Sequence, residues 1–318
     1  MSMKIVSIAT KLPNRIVTND EIASFLDTSN EWITLKTGIK TRHIVSHDNL
    51  TELATDASCT ALKKANLSAT DIDMLICATS TADNAMPSLA CSIIERIGAR
   101  CPGFDVNAAC TGFIYALDTA DAFIRAGKVK TILLVAAERM SRLLDWKDRS
   151  TCILFGDGTS ACVVTAGDAL KYIRTTVNPN EALLYAKSLG ENNPFTKESR
   201  ASSYLKMQGQ QVYKFAIRSI EEEIRCVFDT LNMCDADVDY YILHQANMRI
   251  IEGASARLKL PLEKFPFNID KYGNMSAASI PVVLDEMIEK GCIKSGSLIV
   301  MVGFGAGMTV GTAVMVWQ

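Results

Sequence analysis

The chain has few histidines and no closely paired cysteines. Its 318 residues include three histidines, and its ten cysteines are scattered without a Cys-x-x-Cys pair. Zinc sites and disulfide frameworks both need such ligands or cysteines at regular spacing. We therefore expect no metal site, and reduced thiols of the kind found in cytosolic enzymes.

The chain also lacks a strong net charge. The formal charge is −2 at pH 7, and 21% of the residues are charged. This balance excludes a protein that binds nucleic acid through an overall positive charge, so any anion-binding surface is a local patch. The first residues do not show the charged-then-apolar pattern of a signal peptide, and we expect a cytoplasmic location.

Charged residues are absent from Ser295 to Gln318, a stretch long enough to span a membrane as a helix. Glycines interrupt it, however, and valine and methionine dominate its flanks. The interruptions fall at Gly303, Gly305, Gly307 and Gly311. Two buried strands around a glycine-rich turn explain this pattern better, so we expect no membrane insertion.

Strand-like apolar runs alternate with helical patterns in the first half of the chain. The runs are Met74–Ala78, Phe104–Asn107 and Thr131–Ala136, and helical spacing occurs at Ser88–Ile97 and Thr111–Gly127. This order predicts βαβ units and a largely parallel sheet in an α/β fold.

A faint internal repeat relates the two halves. Asp71–Ile76 resembles Asp237–Ile242, about half a chain later. Two further pairs occur in the same order in both halves, Asn66-Leu67 with Asn232-Met233 before this segment and Gly127–Lys130 with Gly291–Lys294 after it. Three ordered matches predict two similar halves, residues 1–168 and 169–318. The polar stretch Gly190–Ser203, in the middle part of the chain, predicts a surface loop.

Cys110 stands where the predicted strand gives way to the predicted helix. The partial positive charge at a helix N-terminus favours a thiolate, so this position is expected to lower the pKa of the thiol. A buried structural cysteine is the alternative, and the segment alone does not decide between them.

His244 follows a second predicted strand, Tyr240–Leu243, and the repeat places it in the position of Ala78. It therefore lies at the carboxyl edge of a sheet, where open α/β sheets bind ligands. A lone histidine is usually a hydrogen-bonded core residue. The shared edge with Cys110 favours a functional role here.

Two more segments contain small and polar residues. Asn274 precedes the helical pattern Ile280–Ile288, where it is either a cap or turn residue or a catalytic amide. The alternating glycines of Gly303–Gly307 allow backbone N–H groups to approach a ligand closely. Phe155–Ala161 is interpreted chiefly as a structural turn.

Taken in order, these motifs resemble one family, the β-ketoacyl-acyl-carrier-protein synthases III. The motifs are Asn107–Phe113, Phe155–Gly158, His244–Asn247, Gly273–Ser279 and Gly303–Gly307. The resemblance runs from Lys4 to the C-terminus. It implies a thiolase-like α/β fold with two pseudo-duplicated halves in a layered α-β-α-β-α arrangement. Elongating ketosynthases instead use two histidines, and thiolases need a second cysteine where Phe304-Gly305 stands here.

The resemblance implies a decarboxylating Claisen condensation of an acyl-CoA primer with malonyl-acyl-carrier-protein, without a resident cofactor. Cys110 would carry the acyl group, and His244 and Asn274 would stabilise the enolate. The backbone N–H groups of Cys110 and Ala306 would form the oxyanion hole.

The resemblance also implies substrate-binding residues and a homodimer. CoA would be bound by Trp32, Lys36, Arg149 and Asn247. The carrier protein would dock on Lys214, Arg249 and Arg257, although a solvated charged face is the alternative for these residues. The acyl pocket would involve Met86, which reaches the partner subunit, and Phe304.

Other activities stay open at this level. A related acyltransferase and a condensing enzyme of specialised metabolism would share the fold. A papain-like cysteine hydrolase and a non-catalytic acyl-binding protein are more distant alternatives. The sequence does not fix the primer, since the flexible Met86 would admit acetyl, propionyl or short branched acyl groups.

Overall fold

Two β-sheets and the helices that cover them make up the part of the chain described by the computed structural model, residues 2–187 and 204–318. The predicted loop Gly190–Ser203 lies outside the described residues. The strands are β1 (Ser2–Lys11), β2 (Arg15–Thr18), β3 (Thr41–Ile44), β4 (Met74–Ala78), β5 (Gly103–Val106), β6 (Thr131–Arg139), β7 (Asp157–Gly167), β8 (Leu170–Val177), β9 (Leu184–Tyr185), β10 (Lys206–Met207), β11 (Tyr240–Leu243), β12 (Leu298–Gly305) and β13 (Thr309–Val316).

The helices start and stop at residues suited to those positions. Ser88 caps α4 by accepting a hydrogen bond from the Cys91 N–H at 3.2 Å, and Gly98 ends the same helix in the left-handed conformation. The helices are α1 (Asn19–Ala23), α2 (Asn30–Thr37), α3 (Leu50–Lys64), α4 (Leu89–Ile97), α5 (Gly112–Arg125), α6 (Arg149–Cys152), α7 (Gly209–Leu231), α8 (Met248–Leu258), α9 (Ile269–Tyr272) and α10 (Ser279–Glu289).

The two large sheets have matching strand orders. The first is β1-β7-β6-β4-β5 and the second, read in the same direction, is β8-β13-β12-β11. The parallel pair β4 and β6 of the first sheet corresponds to the parallel pair β11 and β12 of the second, and β4 also pairs in parallel with β5. The other neighbouring strands of the two sheets are antiparallel, so the prediction of a largely parallel sheet was wrong. The correspondence of the two strand orders confirms the pseudo-duplication. The first sheet takes its strands from before residue 168 and the second from after it, although the boundary itself stays a prediction.

Helices cover both faces of each of the two large sheets, and the protein therefore has five layers. On β4, Ile76 faces the central layer with α5 and α10, whereas Leu75 and Cys77 face α3 and α4. The outer face of the second sheet is covered by α7 and α8. The alternation of side chains along each strand produces this sorting. The α-β-α-β-α arrangement is therefore confirmed.

The uncharged C-terminal segment forms the antiparallel pair β12 and β13, as predicted. Among the described residues there is no helix long and apolar enough to cross a membrane. All ten cysteines, each within the described part, are free thiols. The helix predicted to begin at Thr111 begins one residue later. A 3-10 turn at Ala109–Thr111 precedes α5, which begins at Gly112.

Candidate active site

A cavity of about 1470 Å³ opens where the carboxyl ends of β4, β6 and β11 meet. Cys110, His244 and Asn274 all line it. The structure therefore brings together three residues that are far apart in the sequence, as the matched sheet edges predict.

Cys110 is held by an unusual backbone and a close neighbour. Ala109, just before it, has φ +47°, a conformation that costs a non-glycine residue about 1 kcal/mol or more. On the other side Gly305 at the end of β12 packs against the cysteine. A Cβ atom on Gly305 would lie 2.9 Å from the Cys110 nitrogen. This contact brings Ala306, which also lines the cavity, next to the nucleophile.

The expected low pKa of Cys110 was wrong. Burial raises the pKa of the thiol to about 12, partly offset by a hydrogen bond with the Ser276 side chain. The sulfur lies in a desolvated position, and the 3-10 turn separates it from the first residue of α5. Desolvation of the thiolate therefore outweighs the helix-end field.

His244 is a neutral imidazole. Its backbone N–H donates to the Val302 carbonyl at 2.9 Å, which extends the β11–β12 pairing by one residue. Burial lowers the pKa of the side chain to about 3. The ring packs edge-on against Phe304, with ring centres 5.1 Å apart, and Nδ1 has no hydrogen-bond partner in the described part of the chain. A neutral ring with its proton on Nε2 donates one hydrogen bond.

Asn274 presents its amide nitrogen to the cavity. Its side-chain oxygen accepts the Ser276 backbone N–H at 2.8 Å, which leaves Nδ2 as the free donor. Its backbone pairs with the segment that follows α6, donating to the Leu154 carbonyl at 2.9 Å and accepting from the Gly156 N–H at 3.0 Å. The amide is therefore fixed at both backbone and side chain.

The Phe155–Ala161 segment positions Asn274 as well as forming a turn. A Cβ atom on Gly156 would lie 2.2 Å from the Tyr272 carbonyl oxygen, so only glycine allows this approach. Buried Asp157 accepts the Val45 N–H at 2.8 Å and the Ser141 hydroxyl at 2.6 Å. These contacts anchor the segment from its other side.

A buried carboxyl group beside the cavity was missed by the sequence prediction. Glu138, near the end of β6, accepts hydrogen bonds from Ser80 Oγ at 3.0 Å, Ser276 Oγ at 3.0 Å and Thr81 Oγ1. Burial raises the pKa of Glu138 to about 7. The sequence did contain an indication of this site residue. Glu138 is a charged residue just after the apolar run Thr131–Ala136, and it lies at the same sheet edge as Cys110.

The residues expected to bind CoA line the same cavity. The Arg149 guanidinium lies over the Trp32 ring, 4.7 Å from its centre. Asn247 caps α8 by accepting the Arg249 N–H at 2.9 Å, and its Nδ2 donates to the Lys36 carbonyl at 3.2 Å. Both ends of the Asn247 amide are thus engaged within the protein.

The remaining predicted site residues divide into two groups. Lys214, Arg249 and Phe304 line the cavity. Arg257 is on the same helix as Arg249 but does not line the cavity, and its guanidinium pairs with Glu221. Met86 also lies outside this cavity, with 83% of its surface exposed.

Fold and site together define a condensing enzyme of the thiolase-like fold. Family models for 3-oxoacyl-[acyl-carrier-protein] synthase III match residues 104–178, and those for its C-terminal part match residues 228–317. The β-ketoacyl-[acyl-carrier-protein] synthases III of Clostridium acetobutylicum and Aquifex aeolicus are each 42% identical over 99% of both chains. The chain belongs to this family.

Solved structures agree with the sequence comparison. The synthase III from Aquifex aeolicus VF5 superposes with a TM-score of 0.92 at 41% identity, covering 99% of this chain and 100% of that one. The enzyme from Pseudomonas aeruginosa PAO1 gives a TM-score of 0.93 at 34% identity, covering 100% and 99%. The predicted fold class is thereby confirmed over the full length.

Proposed function

We propose that this chain condenses an acyl-CoA primer with malonyl-acyl-carrier-protein and so initiates fatty-acid synthesis. The observation that carries the proposal is the convergence of Cys110, His244 and the Asn274 amide nitrogen on one cavity. A thiol and two neutral hydrogen-bond donors are what acyl transfer followed by enolate stabilisation requires. The names of the full-length relatives support the same reaction.

In the first half-reaction the Cys110 sulfur attacks the thioester carbonyl of the primer. The carbonyl oxygen becomes an oxyanion, which the backbone N–H groups of Cys110 and Ala306 would stabilise. When the intermediate collapses, the bond to the CoA sulfur breaks. The acyl group remains on Cys110 as a new thioester.

In the second half-reaction the malonyl group loses carbon dioxide, and the resulting negative charge lies on the thioester oxygen. His244 Nε2 and Asn274 Nδ2 would donate hydrogen bonds to that oxygen. The low pKa of His244 suits this role, because a neutral imidazole donates without giving up its proton. The enolate carbon then attacks the acyl-cysteine, and the β-ketoacyl product leaves on the carrier protein.

Substrate binding is proposed for the groups that surround the cavity. Trp32 and Arg149 offer an aromatic face and a planar cation for the CoA adenine, which would have to enter between them. Lys36 supplies a charge for phosphate. Asn247 would contribute mainly by holding α8 against α2, since both ends of its amide are already bonded.

The assembly and location are proposed together. A homodimer would bury exposed Met86 in the acyl pocket of the partner subunit, where Phe304 also contributes. We propose a cytoplasmic enzyme that acts without a resident cofactor, with acyl-CoA and malonyl-carrier-protein as its substrates. Lys214, Arg249 and Arg257 are the proposed docking residues for the acidic carrier protein.

Sequential addition of the two substrates tests the proposal. The protein is first incubated with a panel of acyl-CoAs, and peptide mass spectrometry locates any acyl group. Malonyl-carrier-protein is then added, and the product is identified. Acylation at Cys110 followed by a β-ketoacyl product is expected, with Cys59→Ala as a control that removes an exposed cysteine. Acylation followed only by hydrolysis or transfer to another acceptor would disprove condensation.

A second candidate is a priming condensation in a specialised pathway. The priming β-ketosynthase of the R1128 polyketide pathway superposes with a TM-score of 0.93 at 29% identity. The two candidates share the chemistry and differ in the carrier protein. A clear preference for a polyketide carrier protein over a fatty-acid carrier protein in the same assay would favour this candidate.

A further inference from the structure

Arg42, on β3, is a fully buried cation to which the condensation mechanism gives no role. Its exposed fraction is 0%. Its guanidinium donates to Asn19 Oδ1 and to the Ile153 carbonyl, both at 2.8 Å, and lies 3.5 Å from the Val17 carbonyl. All of these partners are neutral, and within the described residues no carboxylate forms an ion pair with the group. A buried charge without an opposite charge costs free energy, so packing alone does not explain this arginine.

One nitrogen of the guanidinium, Nη1, is connected to α2 through Asn19. The Asn19 amide nitrogen lies 2.7 Å from the Ile39 carbonyl, just after α2. It also lies 3.1 Å from Asn30 Oδ1 and 3.3 Å from Thr34 Oγ1, two side chains one turn apart on α2. Trp32 is midway between them in the sequence, which places it on the opposite side of the helix. Asn19 therefore holds the side of α2 that lies opposite the tryptophan.

The other nitrogen, Nη2, is connected to α6. It donates to the carbonyl of Ile153, the residue that ends this helix. Because α6 is only four residues long, a bond at its end also fixes the direction of Arg149 at its start. The Arg149 guanidinium lies 4.7 Å from the centre of the Trp32 ring. We call this pair of side chains the adenine clamp. A single guanidinium, that of Arg42, thus connects the two helices that carry the clamp.

Hydrogen bonds from an arginine give these helices an orientation that apolar packing does not. Ile33 of α2 lies in the same hydrophobic cluster as Cys152 and Ile153 at the end of α6. Apolar contacts of this kind are not directional, whereas hydrogen bonds are. The planar guanidinium donates in two fixed directions, which a lysine ammonium does not do. Burial lowers the pKa of Arg42 to about 10, so the group is charged at neutral pH and its bonds are charge-assisted.

We propose that Arg42 positions the adenine clamp by fixing α2 and α6 relative to each other. It touches no substrate, so it is a positioning residue for acyl-CoA. The adenine ring would have to enter between the two side chains of the clamp, which must therefore separate. With both helices fixed, the exposed Arg149 side chain moves alone, and less conformational freedom is lost on binding. This inference rests on the proposed function.

Thioesters of pantetheine separate a positioning role from a merely structural one. They carry the acyl group and the arm that reaches Cys110, but they lack the nucleotide that the clamp would hold. Loss of the clamp geometry therefore raises the half-saturating concentration of an acyl-CoA and leaves the acyl-pantetheine unaffected. A variant that is only partly folded instead reacts more slowly with both donors in the same proportion. The ratio of the two rates distinguishes these explanations.

The test is acylation of Cys110 in the full chain by acetyl-, propionyl- and isobutyryl-CoA and by the corresponding pantetheine thioesters, followed by mass spectrometry. For Arg42→Lys and Arg42→Gln we expect the half-saturating concentration of the CoA thioesters to rise about tenfold, the order of effect of a cation–aromatic contact. The maximal rate and the reaction with pantetheine thioesters should change little. Val227→Ala is the control, since it removes buried methyl groups from a cluster that does not line the cavity.

An unchanged preference for CoA over pantetheine thioesters in the folded Arg42 variants would overturn the inference and leave the proposed function intact. If these variants do not fold, Asn19→Asp gives the answer. Its carboxylate still accepts from Arg42 and supplies the missing opposite charge, but it no longer donates to α2, so the preference for CoA should fall in the same way. If it does not, Arg42 does not position the clamp.

The unmodified chain shows whether the proposed function itself holds. Failure of every CoA thioester to acylate Cys110 would disprove the proposed function and this inference together. Acylation by CoA and pantetheine thioesters at equal rates would show that the chain has no adenine clamp for Arg42 to position. Because Arg42 also lies beside Gly156, which is bonded to Asn274, the measurement is confined to acylation, in which the Asn274 amide takes no part.

Discussion

At Asn274 one hydrogen bond decides which end of the side chain faces the substrate. The Ser276 N–H donates to Asn274 Oδ1, so Nδ2 is the end of the amide that faces the cavity. An aspartate at this position would keep the oxygen that Ser276 needs and would lose the donor. This difference allows the structural and chemical roles of one residue to be tested separately.

We expect Asn274→Asp and Asn274→Ala to retain acylation of Cys110 and to lose malonyl decarboxylation by about 10²–10³-fold, the usual effect of removing one such donor. Acylation is measured from the mass of the Cys110 peptide, and decarboxylation from release of carbon dioxide. Thermal unfolding shows whether each variant is folded. Loss of acylation in the folded Asn274→Asp variant would contradict the role assigned to the amide.

The buried carboxyl of Glu138 makes stability depend on pH in a defined direction. Its pKa is about 7 in the folded protein and 4.5 when unperturbed, so the unfolded chain releases this proton at lower pH. The stability present below pH 4.5 is therefore lost as the pH rises through 7. Glu138→Gln cannot ionise, and above pH 7 it should be more stable by up to about 3 kcal/mol.

Urea unfolding of Glu138→Gln and of the unmodified chain at about pH 5 and about pH 8 checks this prediction. The gain in free energy of unfolding should be larger at the higher pH. An equal difference at both pH values would show that Glu138 does not titrate in this range.

Some properties of single residues were not accessible from the sequence. The pattern around Cys110 indicated a helix start, but the pKa of its thiol depends on burial in the folded chain, and this reversed the expected direction. Ser276 and Glu138 are 138 positions apart, so no local pattern joins them. The rule that ligands bind at the carboxyl edge of an α/β sheet does predict that the site residues of the two halves lie together. The same rule, applied to β6, would have selected Glu138.

At the scale of elements, the strands were predicted most accurately. The ranges Met74–Ala78 and Tyr240–Leu243 agree with β4 and β11 at both ends, because short strands buried on both faces show as uninterrupted apolar runs. The 3-10 turn at Ala109–Thr111 was missed, since two alanines give no signal for a break. Its geometry comes from tertiary packing against the end of β12.

That packing makes Gly305 a sensitive position. In Gly305→Ala the new Cβ would lie 2.9 Å from the Cys110 nitrogen and 3.0 Å from its Cβ, so the 3-10 turn must move. We expect acylation of Cys110 to slow by about 10²-fold or more, because small displacements of a nucleophile have effects of this size. The free energy of unfolding should fall by about 1–3 kcal/mol.

Gly209→Ala is the matched control for this substitution. It adds the same methyl group at the start of α7, where the nearest atom would be 3.6 Å away, an ordinary contact distance. Acylation kinetics and thermal unfolding of the two variants are compared directly. If both variants acylate at the same rate, close packing of β12 is not what positions Cys110.

At the scale of the whole molecule, a net charge of −2 leaves carrier-protein recognition to a local patch. The three proposed docking cations are not equivalent. Lys214 and Arg249 line the cavity, while Arg257 is paired with Glu221, which also contacts Arg225. A cation already neutralised by a neighbour contributes less to the field that an acidic partner meets.

Glutamine variants of Lys214, Arg249 and Arg257 measure these contributions separately. For Lys214→Gln and Arg249→Gln we expect kcat/KM for malonyl-carrier-protein to fall by about threefold to tenfold at low salt, with a smaller loss as salt is added. Acylation by acyl-CoA alone should change little, because the carrier protein takes no part in it. Arg257→Gln should have the smallest effect, since its charge is shared with Glu221. An equal loss in all three variants would mean that Arg257 leaves Glu221 when the carrier protein docks, and that the docking surface extends along α8 beyond the cavity.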